Sequence, residues 1–183
     1  MQNSRHVIRS PTHPGSGMPR HPGPACRSNL LYDIHMATNE DIIRQLYALA
    51  EGTGRDAEKF AALFHADGFF QDESSGMRLY GRDVAQLIHA ISAAFPDMHR
   101  ELLRFYTAGD AVIVELKLQG THQGDFMTSE GVLPPTGRTF DVPCCDVFRL
   151  RDGKVEAFHC YNQLSVWLKQ LGALDHLAAV VKR

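Results

Sequence analysis

Residues 138–163 read R-T-F-D-V-P-C-C-D-V-F-R-L-R-D-G-K-V-E-A-F-H-C-Y-N-Q. Asp152-Gly153 lies between two runs of alternating apolar and polar residues, a strong short-range signature of a β-hairpin turning at Arg151-Asp152-Gly153-Lys154. Alternate side chains of a strand share a face. On the first strand Phe140, Val142, Cys144, Asp146, Phe148 and Leu150 therefore point one way, and Asp141, Pro143, Cys145, Val147 and Arg149 the other. The first set is apolar apart from one carboxylate, Asp146. Carried along the return strand, the same alternation groups Val155, Ala157, His159 and Tyr161 opposite Glu156, Phe158 and Cys160. With both apolar faces inward, Asp146 and His159 enter one interior as an acid/base pair, with Tyr161 beside them. The competing reading is structural: a buried carboxylate bonded to its neighbours, and a core histidine with satisfied ring nitrogens.

Working outward, the period of two extends back to residue 98. Strands are expected at about 98–107, 110–121, 138–150 and 154–162, the first two joined at Gly109-Asp110. Before them the period is helical. Thr38 with Asp41 three residues on reads as a capping box ahead of Ile42, Ile43, Leu46, Tyr47 and Leu49. A second helix is expected from Asp56 and a third from about Asp83 to Phe95, with a short strand at Phe69-Phe70 between them. Residues 120–137 form a long connection, and 163–171 a closing amphipathic helix. Helices followed by an antiparallel meander predict an α+β fold, a curved sheet over helices with a cone-shaped cavity for a small ligand.

Composition narrows the function. The 183 residues, 44% hydrophobic and 22% charged, suit one globular domain. A formal net charge of −2 gives no electrostatic case for nucleic acid or an anionic membrane surface. No apolar run approaches a bilayer span, so a soluble, cytoplasmic protein is expected. The four cysteines (Cys26, Cys144, Cys145, Cys160) lack the spacing of a disulfide ladder or a zinc site and read as small buried hydrophobes in a reducing compartment. Redox or nucleophilic use of Cys144 or Cys160 is a minor alternative. Residues 1–37 hold five of the nine prolines and read as a disordered Pro/Gly/Arg-rich tail, with Met36 an alternative start. A domain over 38–174 and a short helical tail over 175–183 complete the expected organisation. No Gly-rich phosphate loop, serine-nucleophile elbow or His-x-x-x-His pair is present in the sequence.

Six segments occur in a characteristic order: F-P-D-M-H (95–99), A-G-D-A-V-I-V-E (108–115), G-T-H-Q-G-D-F (120–126), P-P-T-G-R (134–138), D-V-F-R-L-R-D-G-K-V (146–155) and L-K-Q-L-G (168–172). Over residues 38–174 the chain resembles the SnoaL-like polyketide cyclase and ester cyclase group of the nuclear transport factor 2-like superfamily. The resemblance implies a conical α+β barrel with an apolar pocket, commonly a homodimer through the outer sheet face. It also implies acid/base chemistry without metal or organic cofactor. The superfamily includes isomerases, dehydratases, hydrolases, cyclases and non-catalytic binding domains, so the fold does not name a reaction. The group's cyclases typically carry an aspartate on the strand after the D-G-K turn, where this chain has Glu156-Ala157-Phe158-His159-Cys160. His159 is the expected replacement base, since an imidazole titrates near neutral pH.

The candidate catalytic residues are thus Asp146 orienting His159, with Tyr161 donating to the oxygen on which charge develops. His122, in the G-T-H-x-G segment, lines the pocket mouth or serves the loop, and Asp72 faces the cavity or caps a turn. Phe64, Phe70, Tyr80, Leu116, Phe126 and Phe148 are core residues that would double as pocket wall. Two functions follow: a cofactor-independent acid/base enzyme (isomerase, cyclase, dehydratase or hydrolase) acting on a small apolar oxygenated molecule, or a non-catalytic binding or dimerising domain.

Overall fold

Thr38 opens the first helix as its sequence predicts. Its hydroxyl accepts from the Asp41 N–H (3.1 Å) while its own N–H donates to the Asp41 carboxylate (2.9 Å), satisfying two helix-end donors reciprocally. Helix α1 (Asn39–Ala48) turns Ile42, Ile43, Leu46 and Tyr47 inward. Asp56 caps the short α2 (Ala57–Ala62) by accepting from the Lys59 N–H at 3.0 Å. A single 3-10 turn at Gly81–Val84 leads into α3 (Ala85–Ala94). The computed structural model describes residues 37–128 and 131–174, so the expectations for 1–36 and 175–183 lie outside the described residues.

The strands are β1 (Phe64–Asp72), β2 (Arg78–Tyr80), β3 (His99–Ala108), β4 (Ala111–Thr121), β5 (Phe126–Thr128), β6 (Gly131–Leu133), β7 (Thr139–Arg151) and β8 (Lys154–Asn162). Helix α4 (Leu164–Gln170) follows. Six strands form one sheet in the order β2-β1-β8-β7-β4-β3, and β5 and β6 form a separate hairpin inside what the sequence presents as a loop. The β3–β4–β7–β8 run is the expected antiparallel meander. The expected two-residue strand at Phe69-Phe70 is instead nine residues long and lies parallel to β8. Its middle (Ala66, Asp67, Gly68) has no large apolar side chain and so hides the alternation, and a register shift between Phe64 and Phe69 breaks it.

The inner face of the sheet carries Val112, Val114, Leu116 and Leu118 from β4 and Phe140, Val142, Phe148 and Leu150 from β7, all buried. Helix residues Ile43, Leu46, Phe60, Val84 and Ile88 pack in the same core. Each such side chain contributes about 1.5–3 kcal/mol on leaving water. The β7–β8 turn places both Asp152 and Gly153 at positive φ (51° and 72°), as a two-residue type I′ hairpin requires.

β7 shows every second residue from Phe140 to Leu150 buried, Asp146 included. β8 departs from the expected alternation. Arg149 pairs with Ala157 but Leu150 pairs with Val155, so Glu156 is an extra residue, and such a bulge reverses which side chains face the core beyond it. Val155 and Phe158 are buried, Cys160 stands opposite Asp146, and His159 stands opposite Val147 on the outer face.

Candidate active site

The helices, the inner face of the sheet and the β5–β6 hairpin enclose a cavity of about 730 Å³, within the size range of small-molecule sites. Its walls are mainly apolar: Leu46 from α1, Leu87, Ile88 and Ile91 from α3, Phe70 and Phe158 from the sheet, Phe126 from β5 and Trp167 from α4. Asp146, Tyr47, Cys160, Arg100 and Asn162 are among the residues that add polar groups to the lining.

Asp146 is 3% exposed. The Tyr47 hydroxyl, delivered by α1, donates to its Oδ2 at 2.7 Å, and the Cys144 thiol reaches its Oδ1 at 3.4 Å. The Cys144 and Cys160 sulfurs are 3.6 Å apart. Burial raises the Asp146 pKa, opposed by hydrogen bonds from Tyr47, Cys144 and Cys160 and by the charge of Arg100. Burial, then the Asp146 charge, lifts Tyr47 well above the ordinary phenol value. Cys144 is raised by its hydrogen bond with Cys160 and by burial. The bond to Cys144 pulls Cys160 down, but burial and the Asp146 charge leave it raised. Desolvation disfavours charge on each acid of the cluster.

Two buried polar atoms among the lining residues lack a hydrogen-bond partner, Asn162 Oδ1 and Trp167 Nε1. Asn162 Nδ2 donates to Asp72 Oδ1 at 3.0 Å, and Ser74 and Ser75 also bond that carboxylate. Asp72 thus borders the cavity while capping the turn after β1, so both of its expected roles are combined.

The residues expected from sequence divide clearly. Asp146, Phe70 and Phe126 line the cavity. The Asp146–His159 pair is not formed, because the Glu156 bulge turns His159 outward, where its Nδ1 meets Glu73 Oε1 at 2.6 Å and its ring lies edge-on to Phe69. Tyr161 follows it to the outer face and is 49% exposed, far from the donor role expected for it. Tyr80 is 53% exposed, packed against Phe69. Phe64, Leu116 and Phe148 are buried core residues outside the cavity wall. His122 is 0% exposed and serves the loop: its Nδ1 takes the Thr136 hydroxyl at 3.0 Å and its ring packs on Phe95.

Tyr47, Cys160, Arg100, Asn162 and Trp167 were not assigned to the site by the sequence reading. Tyr47 carried a usable signal, since a phenol on the buried stripe of a helix needs a hydrogen-bond partner. The others are brought to the cavity only by register and tertiary packing.

The family model of SnoaL-like polyketide cyclases matches residues 40–171. The chain belongs to the SnoaL-like polyketide cyclase family. A protein of ketosteroid isomerase-like fold from Catenulispora acidiphila, solved in complex with trimethylamine, is 26% identical with a TM-score of 0.62, covering 74% of this chain and 95% of its own. IdmH from Streptomyces antibioticus, a candidate polyketide cyclase, is 26% identical with a TM-score of 0.61, covering 73% and 97%. A candidate SnoaL-like polyketide cyclase from Jannaschia sp. CCS1 shares the fold at 21% identity, with a TM-score of 0.65 and coverage of 74% and 92%. No curated protein sequence matches the chain.

Proposed function

We propose that this SnoaL-like protein is a cofactor-independent acid/base enzyme of cyclase or isomerase type, acting on a small, mostly apolar, oxygenated molecule. The observation that carries the reading is the buried Asp146 carboxyl in the lining of the cavity, held by the Tyr47 hydroxyl at 2.7 Å. Tyr47 occupies Oδ2, whereas Oδ1 has the long contact with the Cys144 thiol, a weak donor. Oδ1 is therefore the oxygen through which a proton passes. A ketone whose ring fills the apolar cavity presents its α-carbon to Oδ1, and Asp146 takes the α-proton. Tyr47 holds the ionised carboxyl in place through its hydrogen bond, and return of the proton to another position of the enolate completes an isomerisation. Ring closure differs only in that the enolate attacks a second carbonyl of the same molecule. With His159 on the outer face, Asp146 is itself the acid/base group.

Proton exchange tests this without the natural substrate. In D₂O, 2-tetralone should lose its α-proton NMR signals faster with the protein than in buffer. Asp146→Asn should slow the catalysed exchange by about 10²–10⁴-fold, the usual worth of a positioned acid/base group, and Tyr47→Phe should lower it less. Trp167, the chain's single tryptophan, lines the cavity, so its emission reports whether the ketone binds. Binding of a panel of bicyclic ketones with exchange no faster than buffer would overturn the enzyme and leave a binding domain.

A further inference from the structure

Cys144 lies opposite Asn162 and Asp146 opposite Cys160, so the two cysteines occupy diagonal positions on neighbouring strands. Diagonal Cβ atoms are roughly 7 Å apart, whereas a disulfide needs about 3.5–4.5 Å. Their sulfurs nevertheless approach to 3.6 Å, and Cys144 Sγ lies 3.4 Å from Asp146 Oδ1. One ligand atom from each of the three residues falls within 4.8 Å of the others. A tetrahedral zinc centre with Zn–S of about 2.3 Å and Zn–O of about 2.0 Å separates two sulfurs by about 3.8 Å, and sulfur from oxygen by about 3.5 Å. The Cys144–Cys160 and Cys144–Asp146 edges match to about 0.2 Å and the Cys160–Asp146 edge lies within 4.8 Å, although a bond between the sulfurs does not fit the register.

We propose that Cys144, Cys160 and Asp146 form a three-ligand site for Zn²⁺, its fourth position open to the cavity. Two thiolates select a borderline-soft ion over Mg²⁺ or Ca²⁺. The second shell is already built, because Tyr47 holds Asp146 Oδ2 and leaves Oδ1 to face the metal, as ligating carboxylates require. Arg100, whose charge acts on Asp146, offsets part of the negative charge of two thiolates and a carboxylate. Loading is a ligand substitution: two S–Zn bonds and one O–Zn bond replace bonds from water to the hydrated ion, the two S–H bonds break, and the released waters and thiol protons leave to bulk solvent. The site goes beyond the acid/base reading and does not rest on it. Zn²⁺ on Oδ1 takes the place of the exchanging proton, so the metal should inhibit ketone exchange.

Co²⁺, then Zn²⁺, added to full-length protein without any ketone provides the test. A Cys26→Ser/Cys145→Ser background leaves Cys144 and Cys160 as the only thiols of the four-cysteine chain. The expected result is thiolate-to-cobalt charge-transfer absorption that saturates at one ion per chain and is discharged by Zn²⁺. Cys144→Ser and Cys160→Ser should each weaken Co²⁺ binding by more than about 100-fold, beyond the usual loss from a second-shell change. Asp146→Asn, which preserves side-chain volume, should weaken binding while keeping the charge-transfer band, and it carries the test if a serine variant does not fold. Absence of that absorption in the folded background protein, or its persistence unchanged in Cys144→Ser, overturns the site. Because binding is read without turnover, its failure is separate from failure of the ketone exchange.

Discussion

Tyr47 and Asp146 are ninety-nine positions apart in the chain and 2.7 Å apart in space. The phenol makes the shorter of the two hydrogen bonds to the carboxyl, the Cys144 thiol reaching the other oxygen at 3.4 Å. Removing the hydroxyl leaves a buried acceptor short of a donor, which costs about 1–3 kcal/mol. Tyr47→Phe should lower the unfolding free energy by that amount in urea titration. Asp146→Asn removes the desolvated charge, so Tyr47→Phe made on top of it should cost less than in the natural chain. Equal costs in both backgrounds would show that the pair is not coupled. Asp146 was legible in the sequence because a single carboxylate interrupts an apolar strand face, and its inward position is observed. Its partner was legible only in part, since a phenol on the buried stripe of α1 signals the need for an acceptor without saying which residue supplies it.

Two elements show how far periodicity carries. β7 alternates without interruption over Phe140–Leu150, and its buried face is the expected one. β8 contains one extra residue at Glu156, and a period-two reading taken across it moves His159 and Tyr161 to the wrong face. The segment after β4 gives a second case. His122 packs against the rings of Phe95 and Phe126, and burial, against weaker opposition from the Gly124 backbone and Asp125, lowers its pKa below 6.5. A histidine whose folded pKa is depressed takes up fewer protons folded than unfolded. Its stabilising contribution is therefore complete above pH about 6.5 and is lost as the pH falls through the lowered folded value. Between pH 7 and pH 5 the midpoint of thermal unfolding should fall more for the natural protein than for His122→Phe. An identical fall in both would remove His122 as the cause.

At the scale of the molecule, the sheet separates two surfaces of different character. The inner face closes on the helices and the cavity, and no helix among the described residues is long and apolar enough to cross a membrane. The outer face carries Tyr106 and Tyr161, each nearly half exposed, on strands whose outward positions also include Ile113, Cys145 and Val147. We propose that a second copy of the chain covers this aromatic face, as the family resemblance implies. Light scattering behind size exclusion should give twice the chain mass for the natural protein, and Val147→Lys with Tyr161→Lys should give the single-chain mass. A natural protein that elutes as a monomer at micromolar concentration would end that proposal.

The sequence by itself determined the local framework: the capped α1, the β3–β4–β7–β8 meander, the turn at Asp152-Gly153, the α+β class and one inward carboxylate. These follow from capping chemistry and from hydrophobic periods, which are properties of neighbours in the chain. Only the tertiary structure decided what surrounds that carboxylate. The parallel pairing of β1 with β8, the bulge at Glu156, the hairpin of β5 and β6, and the arrival of Tyr47, Arg100 and Trp167 at one cavity depend on contacts between distant segments. The Cys144–Cys160 approach has the same origin, because register rather than spacing brings two sulfurs beside one carboxyl oxygen.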